Sequence, residues 1–270
     1  MISLQTAAIF TALASLSLAA VRSGHAEADW LAASRTAEGG QPVRTGVRLV
    51  VDPDWHTYWV NPGDGGMKLS VKWELPAGWV AGELEHPVPK RFMTGELAGF
   101  GYEGEVVFPV AFTPPVGFSG TAKLKGKVSW LTCNDSACVP GSANLELDLE
   151  AGKPDAAKEA GLIEAALKLV PQPNPKVVLS VEETPRTLVL TLHGATKMAP
   201  FDISGYEVFP ATPNVIAPAA KIDLVRSSEV MKAEVPKSEY ASGPVEALTL
   251  VFAGKLPFSV TWKLPAEKTN

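Results

Sequence analysis

The chain contains two cysteines, Cys133 and Cys138, and only four residues separate them. A largely apolar run over 127–131 precedes the pair, and Pro140 closes it. A second strand-like run follows at 144–149. Because short apolar runs bounded by turn residues are typical of strands, the segment is predicted to be a hairpin whose turn carries both sulfurs.

The cysteine pair allows two roles. One disulfide is usual for a two-cysteine chain in an oxidising compartment. On chain-entropy grounds a loop this short contributes roughly 2 kcal/mol, whereas a loop of about a hundred residues contributes almost 5 kcal/mol. A purely structural bridge would therefore do more by joining distant strands. A close pair can open and close without moving the fold, which favours redox exchange and leaves a structural bridge as the alternative.

Proline and glycine interrupt the chain frequently, with 23 of each among 270 residues. Between them lie short alternating runs, such as 43–51 and 69–75, and hydrophobic residues make up 46% of the chain. Frequent breakers between short apolar runs favour an all-β fold. The formal net charge of −5 and the lack of a basic patch argue against nucleic-acid binding.

The N-terminal segment has the character of an export signal. Its apolar run over 7–21 is too short to span a membrane comfortably, and small residues follow it up to Ala26. We predict a signal peptide over residues 1–26, cleaved after Ala26, with an uncleaved anchor as the alternative. The mature chain is then expected to be soluble in a bacterial periplasm, without a membrane span.

The rest of the chain divides into two β domains joined by a helix and a linker. Strand and turn spacing within residues 29–150 indicates a β-sandwich. Apolar residues at helical spacing over 153–170, followed by alternating prolines, predict that 151–175 is a helix and a stiff linker. The β pattern returns in 176–265, which predicts a second, smaller sandwich domain.

Three stretches of the first domain stand out: DWHTYWVNPGD at 54–64, GYEGEVVFPV at 101–110 and WLTCNDSACVP at 130–140. Together they resemble the N-terminal periplasmic domain of the thiol:disulfide interchange proteins DsbD and ScsB. Their order, spacing and strand context all agree with the family. The resemblance covers roughly residues 29 to 150, and the remainder resembles the longer ScsB-type periplasmic regions only loosely.

The resemblance implies an immunoglobulin-like sandwich with a reversible Cys133–Cys138 disulfide on a hairpin. It implies a thiol:disulfide interchange protein, a component of protein-disulfide reduction. Such a protein passes reducing equivalents from a membrane-embedded electron donor to periplasmic thioredoxin-fold proteins. Cys138 would attack a partner disulfide, and Cys133 would resolve the mixed disulfide. No cofactor and no metal are predicted.

The resemblance also implies a cap loop that shields the cysteines until a partner docks. By position this loop falls in residues 91–99. Phe92, Met93 or Phe100 could supply the shield, and the sequence does not choose among them. The segment has no clean periodicity, and long connections of this kind are often functional in compact domains.

Two aromatic side chains are predicted to support the cysteines. Tyr58 matches the aromatic-hydroxyl position beside the cysteines in DsbD, and His56 stands where the family would have a tyrosine. A packing role for Tyr58 and a surface role for His56 stay open. The chain departs from DsbD itself, which has one more residue between its cysteines, a membrane segment and a thioredoxin-like C-terminal domain. The electron donor is therefore expected to be a separate polypeptide.

Two other functions stay open from the residues alone. A periplasmic copper-handling module could use both cysteines and His56, together with Met67 or Met93, because soft sulfur ligands suit Cu(I). A non-catalytic adaptor sandwich would keep an ordinary structural disulfide. A redox-potential measurement separates exchange from a structural bridge, and metal titration of the reduced protein tests the copper alternative.

Overall fold

The computed structural model describes residues 20–194, 203 and 205–265. In this part of the chain strands dominate, and they form two β-sandwiches, which confirms the all-β prediction. The strands of the first sandwich are β1 (Val21–Ser23), β2 (Ala26–Ala32), β3 (Thr36–Ala37), β4 (Val43–Val51), β5 (His56–Gly63), β6 (Ser70–Glu74), β7 (Val80–Ala81), β8 (Lys90–Thr94), β9 (Leu97–Glu103), β10 (Glu105–Thr113), β11 (Thr121–Cys133) and β12 (Cys138–Ala151).

Two facing sheets make the first sandwich immunoglobulin-like. Among the described residues, one sheet has the order β1-β2-β4-β10-β7, and the other has the order β3-β12-β11-β5-β9-β8 with β6 also paired to β11. Strand β11 shows how the sequence dictates this packing, because every second residue from Ala122 to Thr132 is buried. Its side chains at Leu124, Val128 and Trp130 join the core between the sheets.

A helix, α1 (Ala160–Leu167), packs on the outside of the first sandwich. Ile163 and Ala166 are buried with Leu31 and Val107 in a small apolar cluster. The helix is shorter than the predicted 153–170. The backbone before it forms hydrogen bonds to the segment after β2 instead, since the Ala157 N–H donates to the Ala33 carbonyl at 2.8 Å.

The second sandwich follows the helix. Its strands are β13 (Gln172–Pro173), β14 (Val178–Glu183), β15 (Thr187–His193), β16 (Glu207–Pro210), β17 (Val225–Ser227), β18 (Val230–Pro236), β19 (Ala247–Ala253) and β20 (Phe258–Lys263). Within the described residues they form sheets of the order β13-β20-β19-β16 and β14-β15-β18-β17. The proline-rich segment is therefore not a free spacer, because β13 pairs in parallel with β20.

The two sandwiches share a buried contact. Phe209 of β16 is fully buried, and its ring centroid lies 6.2 Å from that of Trp59 and 5.6 Å from that of Phe100. The Asn61 side-chain amide donates a buried hydrogen bond of 2.7 Å to the Pro210 carbonyl. The second sandwich therefore closes one end of the first core, beside strands β5 and β9.

The first hairpin of the fold contains residues that the sequence analysis assigns to the signal peptide. Residues 1–19 of that predicted peptide lie outside the described residues. Val21–Ser23 forms β1, which pairs with β2, and Ala26 is fully buried opposite Val51. Cleavage after Ala26 would remove β1 and the turn that joins it to β2.

Candidate functional site

The two cysteines close the hairpin between β11 and β12. Cys133 and Cys138 lie directly opposite each other in the strand register and form a disulfide, with Cα atoms 4.1 Å apart. Their Cα atoms are closer than in most disulfides, because directly opposed residues of an antiparallel pair approach closely. The Asn134 side-chain oxygen holds the turn by accepting hydrogen bonds from the N–H groups of Ser136 and Ala137, both at 2.9 Å.

The two cysteines differ sharply in exposure. Cys133 is fully buried, whereas Cys138 is an exposed residue at the start of β12. A protein that approaches the disulfide from solvent therefore meets Cys138 first. A thiolate attacks the disulfide sulfur that it can reach, and of the two residues Cys138 is the accessible one.

Strand β5 places His56 beside the disulfide. His56 lies opposite Cys133 of β11 on one side and opposite Glu103 of β9 on the other. Because opposed residues of antiparallel strands project to the same face, these side chains form a row across the sheet. Tyr58 lies two residues further along β5 on that face, and its hydroxyl is 3.3 Å from His56 Nε2.

Strands β8 and β9 form a hairpin next to β5, which we call the cap hairpin (residues 90–103). The predicted loop over 91–99 is thus largely a pair of strands joined by a short turn. The Phe92 ring centroid lies 3.8 Å from that of His56 and 5.7 Å from that of Tyr58. Thr94 Oγ1 lies 3.3 Å from His56 Nε2, so the cap hairpin contacts the imidazole by both packing and a polar contact.

The three cap candidates of the sequence analysis occupy different environments. Phe92 packs on His56, whereas Met93 is exposed on the same strand. Phe100 is fully buried and packs against Phe209 of the second sandwich. Gly99 lies opposite Phe92, and a Cβ atom there would overlap the Phe92 ring. Phe92 is therefore the aromatic side chain that the cap hairpin places on the residues beside the disulfide.

Burial controls the protonation of the two supporting side chains. It lowers the pKa of His56, and the opposing influence of Glu103 and Asp135 is smaller. Burial also raises the pKa of the Tyr58 phenol. A neutral imidazole opposite Cys133 and a protonated phenol next to that imidazole are therefore favoured near neutral pH. Both groups can exchange hydrogen bonds without adding a full charge to the site.

The turn between β1 and β2 supports the cysteine hairpin from the other side, and the sequence analysis missed it. The Thr132 hydroxyl donates to the Gly24 carbonyl, and the Ser142 N–H donates to Ser23 Oγ at 3.2 Å. Gly24 has a φ of 51°, and a Cβ atom there would meet the backbone of β12. The His25 ring stacks on Trp55 with centroids 3.7 Å apart. The Ser-Gly dipeptide is the one sequence signal that favours this turn.

The copper alternative depends on Met67 or Met93 in addition to the cysteines and His56. Met67 and Met93 are exposed, and no group of three or more His, Cys, Asp or Glu that could hold a metal occurs among the described residues. Within the same residues, no helix has the length and apolar character needed to cross a membrane.

The cysteine-bearing domain is similar to known proteins. Residues 27–150 match the family model described as thiol:disulfide interchange protein DsbD, N-terminal. No curated protein matches the chain in sequence. Among solved structures, the N-terminal periplasmic domain of ScsB from Proteus mirabilis has the same fold. The TM-score is 0.65 at 20% identity, with 89% of this chain and 93% of that chain covered. Residues 27–150 are therefore similar to the DsbD N-terminal family, and the tandem of two sandwiches has the fold of the ScsB periplasmic domain.

Proposed function

We propose that the chain is a periplasmic thiol:disulfide interchange protein that works through a reversible Cys133–Cys138 disulfide. The observation that carries the proposal is the asymmetry of this pair, in which one sulfur belongs to an exposed residue and the other to a buried one. A short hairpin turn joins them, so the bond can open without separating distant parts of the fold. The DsbD family of this domain supports the assignment.

The exchange has two steps. In the reduced protein, the Cys138 thiolate attacks a disulfide of the partner, which forms a mixed disulfide and releases one partner thiolate. Cys133 then attacks Cys138 Sγ, which closes the Cys133–Cys138 disulfide and releases the second partner thiolate. Two electrons have passed to the partner, and the released thiolates take up protons. The reverse sequence, with a dithiol donor, reduces the protein again.

His56, Tyr58 and Phe92 have supporting roles in this proposal. His56 stands beside Cys133 as a largely neutral imidazole, so it can accept the proton of the resolving thiol without a prior charge. Tyr58 holds the imidazole through its hydroxyl. Phe92 shields this row from solvent until a partner displaces the cap hairpin, while Met93 and Phe100 lie outside the shield.

The partners follow from the chemistry of the family. We propose a separate membrane-embedded protein as the electron donor and periplasmic thioredoxin-fold proteins as acceptors. Both kinds of partner present a cysteine pair that can form the mixed disulfide with an exposed cysteine. The apolar N-terminal run of the sequence would direct export, and the ScsB relative is itself described as a periplasmic domain.

Mixed-disulfide trapping in periplasmic extract tests the proposal. Cys133→Ala keeps the exposed thiol without its resolving partner, so we expect it to accumulate covalent complexes that dithiothreitol releases. Cys138→Ala leaves only the buried thiol and should trap far less. The double variant Cys133→Ala/Cys138→Ala is the matched control and should fold and trap nothing. Equal, thiol-independent complexes from all three variants would reject the proposal.

A further inference from the structure

The cap strand β8 presents alternate side chains to two different parts of the protein. Phe92 lies opposite Gly99 in the register and packs on His56 beside the disulfide. Arg91 lies opposite Phe100, on the other face of the same strand. Adjacent residues of a strand project to opposite faces, so Arg91 and Phe92 have different neighbours. Because the two residues share one backbone, a contact that holds Arg91 in place also holds the strand that carries Phe92.

Arg91 is held by the second sandwich. Its side chain is only 15% exposed, and its Nε lies 3.4 Å from a Glu207 carboxylate oxygen. Its Nη1 donates to the Pro218 carbonyl. The guanidinium carbon also lies 4.8 Å from the Phe100 ring centroid and 5.6 Å from that of Phe209. The guanidinium therefore contacts two aromatic rings, a carboxylate and a carbonyl.

These contacts join segments that are far apart in sequence. Glu207 follows Arg91 by 116 residues, and Pro218 follows it by 127 residues. Next to the Arg91 contacts, Phe209 and the Asn61–Pro210 hydrogen bond hold the second sandwich against β5 and β9. The base of the cap hairpin thus contacts the second sandwich next to the buried Phe209 and the Asn61–Pro210 hydrogen bond, although Glu207 itself is 54% exposed. The tip of the cap hairpin at Gly95–Glu96 is exposed.

We propose that the second sandwich holds the cap hairpin closed through Arg91, and that this contact sets how much room a protein partner has to dock around the exposed Cys138. Arg91 is a positioning residue in this scheme, because it acts through Phe92 and does not touch the sulfurs. The second sandwich then governs access of thioredoxin-fold partners to the exchange site. The part that concerns partner access rests on the proposed function, whereas the closure of the cap hairpin does not.

The physical basis is a charge-assisted contact that exists only when the cap hairpin lies against the second sandwich. Hydrogen bonds to charged groups are stronger than those between neutral groups, and partial burial limits their screening by solvent. When the hairpin opens, the guanidinium must leave Glu207, the Pro218 carbonyl and the Phe209 ring together, while it stays beside Phe100 of the same hairpin. Removal of the charged group should therefore raise the open fraction without a change in the disulfide itself.

Arg91→Met tests the contact, because methionine keeps an unbranched apolar side chain and removes the guanidinium. Arg44→Met is the matched control, since the Arg44–Glu85 ion pair has the same 3.4 Å separation but lies at the surface of β4. Glu207→Gln removes the charge from the other side of the interface. Arg91→Lys keeps the charge but loses the two-point donor geometry, and it provides a milder variant if Arg91→Met unfolds.

The first measurement is hydrogen exchange of the full chain in its oxidised form. We expect amides in residues 90–97 of Arg91→Met to exchange about tenfold faster than in the wild type. This factor corresponds to a decrease of about 1.4 kcal/mol in the free energy that favours the closed hairpin. Glu207→Gln and Arg91→Lys should show a smaller increase at the same amides. Arg44→Met should leave them unchanged. Equal protection of residues 90–97 in Arg91→Met and the wild type would overturn the proposal.

The second measurement follows reduction of the Cys133–Cys138 disulfide by reduced thioredoxin and, separately, by dithiothreitol. In both reactions the reagent's two thiols become a disulfide as the protein gains two electrons and two protons. We expect Arg91→Met to raise the thioredoxin rate about tenfold relative to the dithiothreitol rate, because a protein needs more space than a small thiol. Faster hydrogen exchange with an unchanged ratio would refute the control of access. Loss of reaction with thioredoxin in every form would count against the proposed function, while the exchange data would still decide the closure.

Discussion

The imidazole of His56 lies against the ring of Phe92, with centroids 3.8 Å apart. This contact joins the two parts of the site that the fold builds separately. His56 belongs to β5, directly opposite Cys133, whereas Phe92 belongs to the edge strand β8 of the same sheet. The aromatic contact therefore links the state of the cap hairpin to the environment of the buried cysteine.

Phe92→Ala is expected to loosen the cap hairpin. Phe92 is half-buried, so its truncation removes contacts worth about 1–2 kcal/mol, enough to raise the open fraction about 5–30-fold. Reduction of the disulfide by thioredoxin should accelerate accordingly in stopped-flow measurements. Met93→Ala is the control, because that side chain is 53% exposed on the same strand. Similar rates for both variants would show that Phe92 is not the shield.

Gly99→Ala should displace the Phe92 ring, because the added Cβ atom would overlap it. We expect a loss of about 1–3 kcal/mol in the free energy of unfolding and an intrinsic fluorescence or hydrogen-exchange change at the cap hairpin. Gly161→Ala is the matched control. A Cβ atom there meets no neighbour, and alanine favours the helix by up to about 1 kcal/mol. Urea unfolding compares the two, and a Gly99→Ala variant as stable as the wild type would contradict this packing.

His86 gives the fold a defined pH dependence. Burial lowers the pKa of His86 to about 4. Below its ordinary pKa of 6.5 the unfolded chain binds a proton that the folded chain excludes. The free energy of unfolding therefore falls as the pH drops from about 6.5 to about 4, and His86 has no effect on it above pH 6.5. The total loss in the free energy of unfolding is about 3 kcal/mol.

His86→Phe should remove that part of the pH dependence while it keeps an aromatic ring against Phe108. Urea unfolding at pH 7.5 and pH 4.5 measures the difference, with His193→Phe as a control at an exposed histidine. Identical pH slopes for the wild type and His86→Phe would show that the imidazole is not excluded from protonation in the folded protein.

The mature N terminus should lie upstream of Val21. Cleavage after Ala26 would remove β1, the Gly24 carbonyl that accepts the Thr132 hydrogen bond, and the His25–Trp55 stack. Small residues at positions 17, 19 and 20 offer a signal-peptidase site before this turn. Intact-mass analysis of the exported protein should therefore give a chain that includes Val21, and a chain that begins at residue 27 would contradict the support by this turn.

The sequence predicted the cysteine hairpin well because its determinants are local. The alternation along β11 and the polar turn between the cysteines are both visible in the printed residues. The resemblance to DsbD added His56 and Tyr58; His56 lies opposite Cys133, and Tyr58 contacts His56. The cap hairpin was predicted only as a loop, since the pairing of Phe92 with Gly99 leaves no regular pattern in its residues.

Other features of the site depend on contacts between residues that are far apart in sequence. The Arg91–Glu207 contact depends on how two domains pack, and no pattern near either residue indicates it. The short strand at Gln172–Pro173 depends on where β20 lies, so the prolines alone favoured a linker. The turn between β1 and β2 depends on contacts with β11 and β12, so the apolar run before it favoured a leader that extends to Ala26.

A glutathione redox titration of the full chain tests the central claim most directly. The fraction of Cys133–Cys138 dithiol is measured by thiol alkylation and mass spectrometry across a series of glutathione ratios, and far-ultraviolet circular dichroism checks that the reduced protein stays folded. An exchange protein should have a midpoint potential above about −300 mV, the value below which structural disulfides usually lie. We predict such a potential, with full retention of β structure on reduction. A midpoint well below that value, or unfolding on reduction, would contradict the account and identify the bridge as structural.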